Sequence, residues 1–183
     1  MIKICFGSGG IRLDGWIHVD WNIACRPDVV ADCGSRLPFT DAAADFLHSE
    51  DFIDQLPMPR AEVFISECHR ILRPGGVMRL LTPDLRKLVG LYHHDDRWLL
   101  ELWETGVGLP LRTRTLGEVV NEGMRRCGHE FVYDETTLRA LIEARDFTVS
   151  RSEYNQSEHP ELRDLDQRRP DDSLSMYFEC HRI

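Results

Sequence analysis

The chain has 183 residues, 42% of them hydrophobic, and a formal net charge of −9, which suits one core and leads us to expect a single domain over residues 1–183. The acidic balance argues against a nucleic-acid partner held by its phosphates, because such binding draws on clustered Lys and Arg, and of the arginines here only Arg125-Arg126 and Arg168-Arg169 are adjacent. No run of about 18 apolar residues reads as a membrane span, no basic leader precedes an apolar run, and the six cysteines form no CxxC pair, so we read a soluble, cytoplasmic chain with reduced core thiols.

The first strand is predicted at Ile2 to Phe6, running straight into Gly7-Ser8-Gly9-Gly10. Glycine lacks a Cβ and takes positive φ, so a ligand can lie almost against the main chain. The second strand, Trp16 to Asp20, ends on an acid at the carboxyl edge of the sheet, where a carboxylate can accept from two ribose hydroxyls. The spacing does not fit a dinucleotide, whose fingerprint wants GxGxxG opening a helix and an acid roughly 20 residues on. Arg12 stands where the third glycine belongs, and the link from Ile11 to Gly15 is too short for a crossover helix. A ligand with adenosine but no pyrophosphate fits better.

A third short strand is expected at Val29 to Asp32, then a Leu37-Pro38-Phe39 loop packed against the core or an adenine, and a fourth strand at Asp45 to Ser49. From Arg60, the apolar positions Ala61, Phe64, Ile65, Cys68, Ile71 and Leu72 recur at helical spacing and stop at Arg73-Pro74-Gly75-Gly76, with a fifth strand at Val77 to Leu81. A helix follows Asp84 through Leu91. The run His93-His94-Asp95-Asp96 is not expected to hold a metal, since neighbours on a helix point about 100° apart. Trp98 to Trp103 reads as a lid, a homodimer face or a packed core helix, and Gly106 to Gly117 as a mobile loop. Asp134 is an expected N-cap for a helix carrying Leu138, Leu141 and Ile142, with strand six starting at Phe147. Tyr154 to Asp172 reads as a polar surface loop whose Asn155-Gln156-Ser157 can face an acceptor, and Leu174 to His181 as the last strand.

The series Phe6-Gly7-Ser8-Gly9-Gly10, Gly15 to Trp21, Asp28 to Cys33, Leu37 to Pro57, Glu67 to Gly76 and Leu80 to Val89 resembles the class I S-adenosylmethionine-dependent methyltransferases. Within them it looks most like a small bacterial branch associated with glycan and cell-surface modification. The resemblance covers Ile2 to about Asp84 and implies a Rossmann-like α/β fold with a mostly parallel sheet, an antiparallel last strand, helices on both faces and a shortened N-terminus. It implies S-adenosylmethionine as cofactor and S-adenosylhomocysteine as product. Phe6, Gly7, Ser8, Gly9, Asp20, Trp21, Asp32, Cys33 and Ser49 then bind the cofactor: Asp20 takes the ribose hydroxyls, while Asp32 and the Cys33 amide read the adenine. Glu50, Asp51 and His129 are the candidate catalytic residues, His129 as a general base because imidazole titrates near neutrality. The implied acceptor is a sugar or another small hydroxyl or amine compound. Two departures stand out: Cys5 occupies a strand-one position that is often acidic, so another group must hold the cofactor's amino group, and Asp54-Gln55 replaces an acid and histidine. They support an alternative, a binding module without turnover. A nicotinamide oxidoreductase is disfavoured by the glycine spacing.

Overall fold

The computed structural model describes residues 1–95, 97–98, 100–101, 115–170 and 173–183, without the side chain of Cys127. Seven strands form one sheet: β1 (Lys3–Phe6), β2 (Ile17–Asp20), β3 (Val29–Val30), β4 (Ala44–Glu50), β5 (Leu72–Pro83), β6 (Phe147–Arg151) and β7 (Ser175–Arg182). Their order is β3-β2-β1-β4-β5-β7-β6. All neighbours from β3 to β5 pair in parallel, and β7 lies antiparallel between β5 and β6. The described α-helices are α1 (Met58–Ile71), α2 (Leu85–His93), α3 (Leu116–Arg125) and α4 (Glu135–Glu143). The mostly parallel sheet with an antiparallel β7 is the Rossmann-like α/β arrangement expected from the sequence.

Strand alternation sorts the side chains onto two faces. On one face Ile4, Phe6, Leu47, Met78, Leu80 and Phe178 meet the apolar stripes of α1 (Ala61, Phe64, Ile65, Cys68) and α4 (Leu138, Leu141, Ile142). Helical spacing in the sequence locates both stripes. The other face is covered at its centre by Leu13 and Trp16 of the β1–β2 link and by Leu162 and Leu165 from the β6–β7 segment, packed on Cys5, Phe46 and Val77. That segment is therefore not the surface loop its polarity suggests.

The reason is a polar row across this second face. Register places His18 beside Cys5, Cys5 beside His48, His48 beside Arg79, and Arg79 beside Glu179. Arg79 is completely buried. Its guanidinium donates to Asp166 Oδ1 (2.6 Å), Ser152 Oγ (3.0 Å) and the carbonyls of Gln156 and Glu153 (both 2.9 Å). An irregular segment crossing a sheet face carries carbonyls that must find donors. One arginine supplies them. Asn155, Gln156 and Ser157 are occupied within this lid: Asn155 Oδ1 accepts from the Asp166 amide, and Ser157 Oγ from the His159 amide.

Other differences from the expectations have local causes. Arg73-Pro74-Gly75-Gly76 lies inside β5 as a bulge: Ala44 pairs with Leu72 but Phe46 with Val77, and Gly75 takes φ +74°. Glu67 and Arg70 clamp the β3–β4 loop, Glu67 accepting from the Leu37 amide and Arg70 donating to Glu67, Asp41 and the Phe39 carbonyl. The Leu37-Pro38-Phe39 loop packs into the core, Phe39 meeting Phe6 edge-on. Gly117 is helical rather than loop: Thr115 and Glu118 form a reciprocal capping box opening α3. Residue 96, residue 99 and residues 102–114 lie outside the described residues, so the loop reading of 106–114 falls there; of 98–103, Leu100 is buried with Leu88, Leu91 and Val119 and Trp98 packs against them, as the packed-helix alternative expects, while 99, 102 and 103 lie outside. Among the described residues no group of His, Cys, Asp and Glu is arranged to hold a metal ion. No described helix is long and apolar enough to cross a membrane.

Candidate functional site

At the carboxyl ends of β1 and β2, beside the place where strand order reverses, lies a cleft of about 560 Å³, within the range of small-molecule pockets. It is lined by Gly7, Gly9, Asp20, Trp21, Asp32 and Cys33, all expected from the sequence, and by Asn22, Cys25, Phe52, Gln55, Leu56 and Arg60, which are not. The carboxyl edge of an open α/β sheet at a topological switch point is the expected ligand position.

The glycine turn is built for close approach. Gly7 takes φ +60°, and a Cβ there would stand 2.4 Å from the Phe52 ring. Gly9 takes φ +52°, and a Cβ at that position would meet nothing within 4 Å, so its backbone faces open space. Asp20 anchors the turn: its carboxylate accepts from the amides of Gly9 and Asn22, both at 2.8 Å. Each oxygen keeps a second lone pair for a further donor. Trp21 is 72% exposed at the mouth.

Asp32 is more committed. It accepts from the Gly34 amide (3.0 Å), Ser35 Oγ (3.0 Å) and the Arg60 guanidinium. Cys33 beside it is buried, its thiol pushed up to about 12 by burial with the Gly7 amide acting against the shift. Phe6 lies behind the turn in the core, edge-on to Phe64. Ser8 and Ser49 are buried, and neither hydroxyl has a partner among the described residues.

The three candidate catalytic residues stand outside the cleft lining. Glu50 ends β4, and its carboxylate accepts from the Gln167 and Arg168 amides at 2.8 to 3.1 Å. Burial pushes its pKa up to about 7 against those hydrogen bonds. Asp51 takes φ +48° and accepts from Arg168 Nε at 2.5 Å, while its other oxygen is buried without a partner among the described residues. His129 Nδ1 lies 2.8 Å from the Gly123 carbonyl and Nε2 lies 3.1 Å from Asp54 Oδ2.

A carbonyl only accepts, so Nδ1 carries the proton; in a neutral ring Nε2 would then turn a lone pair toward the carboxylate. One further proton therefore belongs to the pair. Asp54 is wholly buried, and burial raises its pKa while the His129 charge opposes the rise. Its other oxygen accepts from Thr82 Oγ1 at 3.0 Å, and its main-chain carbonyl accepts from the amides of Glu130 and Phe131. The Asp54-Gln55 departure thus places a carboxylate against His129 and a cleft-lining glutamine beside it. Nothing in the sequence connects these positions, which are far apart in the chain. Arg60 likewise carries no signal beyond its place in the first turn of α1.

Residues 18–80 match a family model described as a methyltransferase domain. No curated protein matches the chain. Among solved structures, a SAM-dependent methyltransferase from Methanosarcina mazei is similar at 15% identity with a TM-score of 0.60, over 99% of this chain and 92% of that one. A SAM-dependent methyltransferase from Archaeoglobus fulgidus is similar at 14% identity and a TM-score of 0.59, over 98% and 85%. At such identities the likeness is one of fold, and the fold is that of the class I SAM-dependent methyltransferases. The domain match implies S-adenosylmethionine as the cofactor. The residues present fit it: an open glycine backbone at Gly9, a strand-end carboxylate at Asp20 and unpartnered buried hydroxyls at Ser8 and Ser49.

Proposed function

We propose that this chain, as one domain over residues 1–183, is an S-adenosylmethionine-dependent methyltransferase that methylates a small hydroxyl or amine acceptor, with a sugar the first class to test. The observation that carries the reading is the cleft where the Gly7 to Gly9 turn and Asp20 meet at the carboxyl edge of the sheet. Asp20 holds the ribose, Asp32 and Cys33 border the adenine with Trp21 over the mouth, and Gly7, Ser8, Gly9 and Ser49 face the amino-acid end, with Phe6 supporting the turn from the core. The cofactor supplies a methyl made electrophilic by its sulfonium, so the protein contributes proximity, alignment and exclusion of water. Glu50 holds the Gln167 and Arg168 amides and Asp51 the Arg168 guanidinium, and this segment is the wall of the acceptor side in this reading. The candidate base His129 has both ring nitrogens engaged, by Gly123 and by Asp54, so it takes an acceptor's proton only after releasing the Asp54 contact.

The acidic chain favours a neutral or cationic acceptor over an anionic one. The glycan branch of the family is the source of the sugar expectation. A cytoplasmic location belongs to the same reading and is supported by the described cysteines, all free thiols. Titration calorimetry with S-adenosylmethionine, S-adenosylhomocysteine and NAD tests it: binding of the two sulfur nucleosides alone is expected, and an acceptor screen beginning with sugars follows. Binding of none of the three sinks the reading.

A second reading is a module that binds the cofactor without turnover. It is favoured by the commitment of Glu50 and His129 to neighbouring protein groups. Cofactor affinity with no methyl transfer across the acceptor panel would select it.

A further inference from the structure

One wall of the cleft is the segment that follows β4, which contributes Phe52, Gln55 and Leu56. It is a single 3₁₀ turn, Ile53–Gln55, closed by two amide bonds, from Gln55 to the Phe52 carbonyl and from Leu56 to the Ile53 carbonyl, and no side chain caps its start. Such short turns have poor hydrogen-bond geometry of their own. Ile53 and Leu56 are buried in the core and press the turn onto the sheet, but apolar contact is non-directional. The orientation of the wall depends on polar anchors.

The long-range anchors meet on Asp54, the middle residue of the turn. Its Oδ1 accepts from Thr82 Oγ1 at the end of β5 at 3.0 Å, and its main-chain carbonyl accepts from the amides of Glu130 and Phe131 at 2.8 and 3.0 Å. Besides the His129 ring, whose Nε2 stands 3.1 Å away, Oδ2 has no hydrogen-bond partner among the described residues. A wholly buried carboxylate oxygen without a donor is costly. The proton of the pair therefore belongs between these two atoms.

His129 is anchored in its turn. Nδ1 lies 2.8 Å from the Gly123 carbonyl of α3. Gly123 packs so closely on α2 that a Cβ there would stand 2.7 Å from Leu88 Cδ1. A continuous path of contacts thus runs from the α2–α3 pair through His129 and Asp54 to the cleft wall, while His129 itself does not line the cleft.

We propose that His129 is a positioning residue: by holding Asp54 it fixes the Phe52 to Leu56 wall against which S-adenosylmethionine binds, and so ties cofactor affinity to the packing of α3. The inference rests on the methyltransferase reading above. It gives His129 a role that requires no proton from the acceptor.

Two substitutions separate the contacts of the ring. His129→Asn can still donate to the Gly123 carbonyl but is too short to reach Asp54, whereas His129→Gln places an amide donor near the position of Nε2 and cannot act as a base. Hydrogen exchange reads the wall without a ligand: exchange at the Gln55 and Leu56 amides should quicken about tenfold or more in His129→Asn and stay near wild type in His129→Gln. Calorimetry with S-adenosylhomocysteine should follow the same order, affinity falling about tenfold in His129→Asn and staying within about twofold of wild type in His129→Gln. A ring that serves only as a base leaves both variants binding as wild type does. A ring that only stabilises the fold lowers the thermal melts of both and quickens exchange throughout. Either result overturns the proposal. If His129→Asn fails to fold, exchange of the wild type with and without S-adenosylhomocysteine decides: protection must rise at the Glu130 and Phe131 amides together with Gln55 and Leu56, and a rise confined to the cleft overturns the link. If the wild type does not bind S-adenosylhomocysteine at all, the methyltransferase reading has failed and the proposal falls with it.

Discussion

Arg79 and Asp166 form a bidentate pair with both side chains wholly buried, Nε and Nη2 donating to the two carboxylate oxygens at 2.6 and 2.5 Å. The pair joins the middle of the sheet to a segment with little regular structure, and the remaining arginine donors satisfy carbonyls of that same segment. Removing one member leaves a buried charge and unpaired carbonyls. We expect Arg79→Leu to lower the unfolding free energy by about 3–5 kcal/mol in urea titrations. A cost below about 1 kcal/mol would show that apolar contacts alone hold the segment.

Glu50 makes stability depend on pH. Its carboxyl is raised from 4.5 to about 7 by burial, so the folded chain favours the protonated acid. That contribution is fully present below the unfolded value and is lost as pH rises through the folded one. Wild type should therefore lose on the order of 2 kcal/mol between about pH 5 and pH 8 relative to Glu50→Gln, which keeps an acceptor for the two amides. Parallel stability curves for the two proteins would contradict the assignment.

Asp20 is expected to govern nucleoside affinity. Asp20→Asn retains an acceptor for one backbone amide and removes the charge, and S-adenosylhomocysteine binding should weaken by about 1.5–3 kcal/mol. Circular dichroism should remain unchanged. Unaltered affinity would move the ribose site elsewhere.

The two glycines of the turn should behave differently. Gly7→Ala meets the Phe52 ring as well as an unfavourable φ, whereas Gly9→Ala meets only the φ penalty. We expect losses of roughly 2–4 kcal/mol and about 1 kcal/mol, in that order. Gly9→Ala should still weaken nucleoside binding, because its methyl stands in the cleft. Thermal melts paired with calorimetry separate the two effects, and equal stability losses would count against the Phe52 contact.

Much of the site can be read from the sequence because it depends on local chemistry. A strand meeting glycines, and an acid ending the next strand, are statements about neighbouring residues, and Asp20 indeed anchors Gly9. Helical periodicity similarly locates α1 and α4. The features that escape a reading of the sequence join distant parts of the chain. Asp166 sits in a polar run whose composition suggests solvent, and only the buried Arg79 facing it explains its burial. His129 against Asp54 has the same character. The start of α3 differs in kind, since the Thr115-Leu116-Gly117-Glu118 capping pattern is visible in the sequence but stands among glycines that point to a loop.

The place of β7 bears on how the chain is made. The last strand in sequence is an interior strand of the sheet, lying between β5 and β6. During synthesis the β5 edge has no neighbour until residues 175–182 emerge, and Glu179, which lies 3.3 Å from Arg79, arrives with them. The carboxyl-terminal half of the sheet must therefore close late, by long-range pairing, with an arginine and an unpaired edge waiting. Nascent chains stalled before β7 should be sensitive to proteases and prone to self-association, and release of the final strand should end both.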